Sequence, residues 1–149
     1  MEDWSKVHVF GAAPAGVRVH LRPSAYALIE DHEGRVALVR APDGVYLPGG
    51  GLEPGETPEQ AVRREGLEEC GLALRPVALL CRAIQFAPRE AEPGWNEKRC
   101  HFFAAEVEAA HPERLLPGHE TLWVPPAQAS GHLEHPSHAW AIETWLRRR

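Results

Sequence analysis

Between Thr57 and Gly71 the chain carries a full set of local instructions for one helix, and β-rich runs stand on both sides of it. Thr57 is a side-chain N-cap, Pro58 has the fixed φ that suits a first turn, and Gln60 can close a capping box. Gly71 supplies the stop. Upstream, Ser24 to Asp31 (SAYALIED) and Arg35 to Arg40 (RVALVR) flank His32-Glu33-Gly34, which predicts a hairpin. Val45-Tyr46-Leu47 reads as a brief strand ended by Pro48-Gly49-Gly50-Gly51. Downstream, Leu74 to Phe86, Arg99 to Val107 and Thr121 to Val124 read as strands, and Ser137 to Arg149 as a closing amphipathic helix. Val7 to Phe10 and Val17 to Leu21 fit an added hairpin. Strands around one central helix and before another predict an α/β fold, a mixed sheet covered by helices.

No repeat or polar linker divides the 149 residues, so one domain over 1–149 is expected. A domain of this size buries about 68 to 70% of its unfolded surface, enough to fold without a staple. No apolar run approaches the roughly 18 residues of a membrane span, so no membrane partner is expected. Met1 to Lys6 has neither a basic leader nor an apolar core, and the expected location is cytoplasmic. Cys70, Cys81 and Cys100 form no CxxC pair, which argues against a zinc knuckle or a disulfide framework. A net charge of -5 disfavours a duplex nucleic-acid binder, which would neutralise phosphates with clustered Lys and Arg. The one basic run, Arg147-Arg148-Arg149, reads as a solvated helix end.

On the central helix Glu65, Glu68 and Glu69 fall within about 100° of arc. Like charges at these spacings cost about 0.2 to 0.5 kcal/mol per pair, and the acids sit toward the negative end of the helix dipole. A divalent cation would reverse both penalties, and Mg²⁺ commonly combines one or two carboxylates with water and phosphate oxygens. The plain alternative is a solvated acidic face.

Spacing around the acids decides between them. From Gly50 the chain reads GGLEPGETPEQAVRREGLEECGL, which resembles the Nudix box, G-x5-E-x7-R-E-U-x-E-E-x-G-U with U aliphatic. Gly50, Glu56, Arg64, Glu65, Glu68, Glu69, Gly71 and Leu72 match it, and Gly66 departs from it where an aliphatic residue is expected. Glycine inside a helix costs about 1 kcal/mol relative to alanine, and the expectation is compensating packing.

The resemblance implies a Nudix-type α/β/α sandwich and a hydrolase that uses Mg²⁺ or Mn²⁺ to cleave a diphosphate linkage. It makes Glu68 and Glu69 direct metal ligands, with Glu65 a further ligand or the general base. It also implies a ligand at the Gly49 carbonyl and supporting roles for Gly50, Glu56 and Arg64. Arg64 is expected to hold a glutamate by a two-point contact while pointing away from the acidic arc. Family members often add an acid just before a tryptophan-bearing strand, a place occupied here by Glu120, with Glu97 in reserve.

Substrate choice is expected in the irregular run Phe86 to Lys98, with Tyr46, Phe86 and Trp95 as aromatic candidates. Pro88, 16 residues beyond Leu72, resembles a proline of ADP-ribose-cleaving members and favours a nucleoside diphosphate linked to a sugar; a nucleoside triphosphate remains open. His132, His135 and His138 are spaced by three, but Pro136 interrupts them, and packing beside Trp140 is preferred to a metal site. A nucleotide-sensing module without efficient catalysis is the alternative, motivated by Gly66. A homodimer is compatible with both.

Overall fold

The computed structural model describes residues 2–149; Met1, where the leader reading begins, lies outside them. Strands β1 (His8–Phe10), β2 (Val19–Ile29), β5 (Gly49–Gly51), β6 (Leu72–Pro88) and β7 (Trp95–Ala110) form a sheet in the order β1-β6-β7-β2-β5. It is mixed: β1 with β6 and β2 with β7 are parallel, the other pairs antiparallel. A second sheet, β4 (Gly44–Tyr46), β3 (Val36–Ala41) and β8 (Glu120–Val124), is antiparallel.

Strand β2 explains the layering. Its residues Ser24 to Ile29 are all buried, so both faces are covered, as for a strand central to a sandwich. Ala25, Ala27 and Ile29 pack with Ala61 and Val62 of helix α1 (Pro58–Cys70) and with Leu74 and Phe103. Tyr26 and Leu28, on the other face, pack with Phe102 and with Ile142 and Trp145 of the closing helix α3 (Pro136–Arg147). Period-two alternation thus gives one strand two cores and the protein its α/β/α sandwich. The short α2 (Pro126–Ala129) precedes α3, and no helix among the described residues is long and apolar enough to cross a membrane.

Helix α1 begins and ends as its sequence instructs. Thr57 Oγ1 accepts from the Gln60 amide at 3.2 Å and Gln60 Oε1 from the Thr57 amide at 2.9 Å. Gly71 closes the helix in the left-handed region at φ 64°.

Four local expectations are corrected. The turn at 31–35 forms, with Asp31 accepting from the amides of Glu33 and Arg35, but its two strands then part into different sheets. They separate because β2 finds a much longer parallel partner in β7, Val19 to Ile29 against Trp95 to Ala105. The added N-terminal hairpin does not form either: β1 pairs with β6 and Val19 opens β2. Gly49 to Gly51, read as a turn, runs as the edge strand β5 against Tyr26 to Ser24. The irregular run 86–98 shrinks accordingly, because β6 and β7 extend to Pro88 and Trp95.

Candidate active site

Glycine strand β5 sets the geometry. A side chain at Gly49, whose φ is 146°, would put its Cβ 2.6 Å from the Tyr26 Cα, so the two strands approach this closely only with glycine there. A Cβ at Gly50 would face the other way and meet Glu65 Oε1 at 3.3 Å. The ribbon therefore separates the acids of α1 from the β2 face without side chains of its own to block passage.

Arg64 organises the acids. Its Nε and Nη2 donate to Glu56 at 2.8 and 2.9 Å, Nη1 donates to Glu65 at 2.6 Å and Glu68 at 3.3 Å, and Nη2 also donates to the Gly51 carbonyl at 3.1 Å. The two-point contact is the expected one, made to Glu56. The expectation that Arg64 points away from the acidic arc is corrected: its guanidinium spans from Glu56 to the acids and reaches both Glu65 and Glu68. Losing this arginine would free three carboxylates at once.

Glu69 is held differently, accepting from the Gly49 amide at 2.7 Å. Burial, followed by the nearby charge of Glu65, raises its carboxyl to about 8. Burial also raises Glu65, against the pull of Arg64, and its side chain is only 14% exposed. Two crowded, desolvated carboxylates lack counter-charge beyond one arginine. Among the described residues no three His, Cys, Asp or Glu side chains converge into a ready-made metal cage. The donor set still fits a hard cation of the Mg²⁺ kind, which takes one or two carboxylates and completes its shell with water and phosphate oxygens.

Beside Glu69 opens a cavity of about 740 Å³, lined by Gly49 to Gly51, by Arg22, Ser24 and Tyr26 of β2, by Lys98 of β7 and by Tyr46. Pro88 lines it as well. Of the expected aromatics, Tyr46 is at the cavity, whereas Phe86 and Trp95 are not, because both lie inside the extended β6–β7 ladder, opposite Glu97 and Pro88. Glu120 opens β8 with its side chain 62% exposed and pairs with Arg40 at 3.1 Å; among the described residues no hydrogen bond or salt bridge joins it to the α1 acids. Glu97 is likewise engaged, with Arg99 at 2.9 Å.

His135 and His138 pack against each other, and His132 is exposed. His138 is fully buried, accepts from the Leu47 amide through Nδ1 at 3.1 Å, and lies 4.3 Å ring to ring from Tyr26. His135 Nε2 stands 3.4 Å from Lys98 Nζ.

The model of the NUDIX domain matches residues 20–147. The chain belongs to the Nudix family. A solved Nudix hydrolase from Nitrosomonas europaea superposes with a TM-score of 0.70 at 25% identity, covering 86% of this chain and 90% of that one. A Nudix hydrolase from Rhodococcus erythropolis, described as uncharacterized, is 35% identical over 98 residues, 61% of this chain and 51% of its own length. An RNA pyrophosphohydrolase from Yersinia pestis is 41% identical over 61 residues, 40% of this chain and 35% of that protein. This chain thus spans about half or less of these two relatives' length.

Sequence reasoning located the Nudix acids and missed the cavity wall opposite them. The signal was the alternation His20, Arg22, Ser24, which places three polar side chains on one face of a strand. Its partner, Lys98, becomes visible only once β2 and β7 are paired.

Proposed function

We propose that this Nudix protein is a metal-dependent hydrolase acting on a diphosphate linkage, in a nucleoside diphosphate joined to another group such as a sugar. The carrying observation is that Glu69 lines an open cavity beside the ribbon Gly49 to Gly51, with Glu65 against Gly50 and Arg64 tying Glu65 to Glu68 behind it. Glu68 and Glu69 would hold Mg²⁺ or Mn²⁺, with Glu65 as further ligand or base and the Gly49 backbone beside them. Such an ion, when bound, supplies charge neutralisation for the diphosphate and acidifies a water.

The chain's own groups do the rest. Arg64 fixes the carboxylates of Glu56, Glu65 and Glu68 in one arrangement, which removes reorganisation from the reaction. The Gly49 amide orients Glu69 toward the cavity. A carboxylate of this cluster takes the proton of the attacking water, and no protein nucleophile is used. Gly49 to Gly51 let a phosphate approach the backbone closely. Tyr46 offers a ring face on the cavity wall. Glu120 would add a further acid to the metal site once its ion pair with Arg40 opens.

The 149 residues work as one domain in this reading. The alternative, a nucleotide-sensing module, takes its motive from Gly66, where Leu74 fills the space a side chain would need.

The test is turnover of a panel of nucleoside diphosphate derivatives and nucleoside triphosphates with Mg²⁺ or Mn²⁺, products resolved by chromatography. Phosphate-bearing fragments should appear only with metal, and Glu69→Gln should abolish them. Tight binding of a nucleotide with no cleavage under either metal would select the sensing module instead.

A further inference from the structure

The geometry points to a second functional element: Arg22 and Lys98 as a two-point seat for the phosphate group that lies beyond the acidic helix. This rests on the hydrolase reading in one respect only, that the ligand is a phosphoric anhydride.

Arg22 and Lys98 are register partners on the parallel strands β2 and β7, so their side chains leave the same face of the sheet side by side. Both line the cavity that Glu69 also lines. They are positively charged in a protein of net charge -5, and among the described residues neither has a carboxylate within salt-bridge distance. Most other arginines of the chain do have one.

Each cation is propped rather than neutralised. Arg22 Nη1 donates to the Leu52 carbonyl at 3.4 Å, and its guanidinium lies against the α-carbon of Gly51, in the space a side chain there would fill. Lys98 Nζ is 3.4 Å from His135 Nε2, a neutral partner, since burial lowers His135 to about 4. Burial also lowers Lys98 itself. Glu90 and Asp43 also act on Lys98, but they crowd each other, which raises the Glu90 carboxyl. A half-buried ammonium and a free guanidinium, one strand apart, match two oxygens of a phosphate, the planar fork of arginine giving direction and the lysine a point charge.

The order along the cavity is then acidic helix, glycine ribbon, cation pair. One phosphate of an anhydride would lie at the acids, and its neighbour across Gly51 on Arg22 and Lys98. Inorganic pyrophosphate is the smallest molecule with both groups.

The probe is methylenediphosphonate, an uncleavable pyrophosphate analogue, titrated calorimetrically into the full chain without divalent metal. Wild type should bind it, more weakly as salt rises. Arg22→Gln and Lys98→Met should each weaken binding by about tenfold or more, and Lys98→Arg should restore most of it. Arg114→Gln, which removes a cation remote from the cavity, should change nothing. Circular dichroism and melting temperature check that the variants fold, and Arg22, on the exposed part of β2, decides the matter if Lys98→Met does not. No binding by wild type, or wild-type affinity in folded Arg22→Gln and Lys98→Met, overturns the seat. Binding that depends on both cations with no nucleotide cleaved would leave the seat and remove the hydrolase. Cleavage with KM unchanged in both variants would do the reverse.

Discussion

Leu74 occupies the space in which a side chain at position 66 would have to sit: a Cβ there would lie 2.5 Å from Leu74 Cδ1 and 2.7 Å from Cγ. The departure of Gly66 from the Nudix box is thus matched by a strand residue that reaches into the helix. Gly66→Leu, which restores the usual aliphatic type, should destabilise the protein by about 1 to 3 kcal/mol through overpacking, although leucine is the better helix former. Leu74→Ala alone should cost about 2 to 5 kcal/mol, and Gly66→Leu with Leu74→Ala together should cost less than the sum of the two single costs. Urea melts of the three variants check this.

Gly49 lies so near β2 that any side chain collides with it. Gly49→Ala should lose about 3 kcal/mol, the upper end for overpacking, and with it the seating of Glu69 on the Gly49 amide. Thermal denaturation measures the first effect and residual turnover the second.

Arg64 connects Glu56, Glu65 and Glu68 through one guanidinium. Arg64→Gln should lower stability by roughly 1.5 to 3 kcal/mol and reduce kcat more than it raises KM. Arg64→Lys should rescue little of either, since an ammonium cannot reproduce the forked contact to Glu56. Steady-state kinetics beside a denaturation curve separates the two effects.

Burial lowers His138 well below the ordinary histidine value and His135 to about 4. Both are neutral in the folded protein at pH 6 and partly charged in the unfolded chain, so their contribution is present in full above about pH 6.5. It is lost as pH falls from there toward 4, each histidine adding a slope of up to about 1.4 kcal/mol per pH unit. His138→Asn keeps an acceptor for the Leu47 amide and should flatten this acid limb, read as stability against pH between 7 and 4.

Helix α1 was legible because its signals are local: Thr57, Pro58, Gln60 and Gly71 act within a few residues of themselves, and the shared face of the acids follows from its period. The hairpin at 31–35 misled for the opposite reason. Its turn chemistry is sound, but strand pairing is settled by β7, far along the chain, which competes for β2 with eleven matched residues. The seat of Arg22 and Lys98 depends on that same distant pairing and has no local signature. Phe86 and Trp95 were placed in a loop because the Pro- and Glu-rich stretch between them hides strands that continue into it.

The most direct test is the electron paramagnetic resonance of Mn²⁺ titrated with protein. Wild type should remove the free-ion signal stoichiometrically at pH 8, while Glu69→Gln, folded and still able to accept from the Gly49 amide, should bind the ion at least about tenfold more weakly. Equal binding by the two proteins, or none by wild type with or without a nucleotide, would contradict the account.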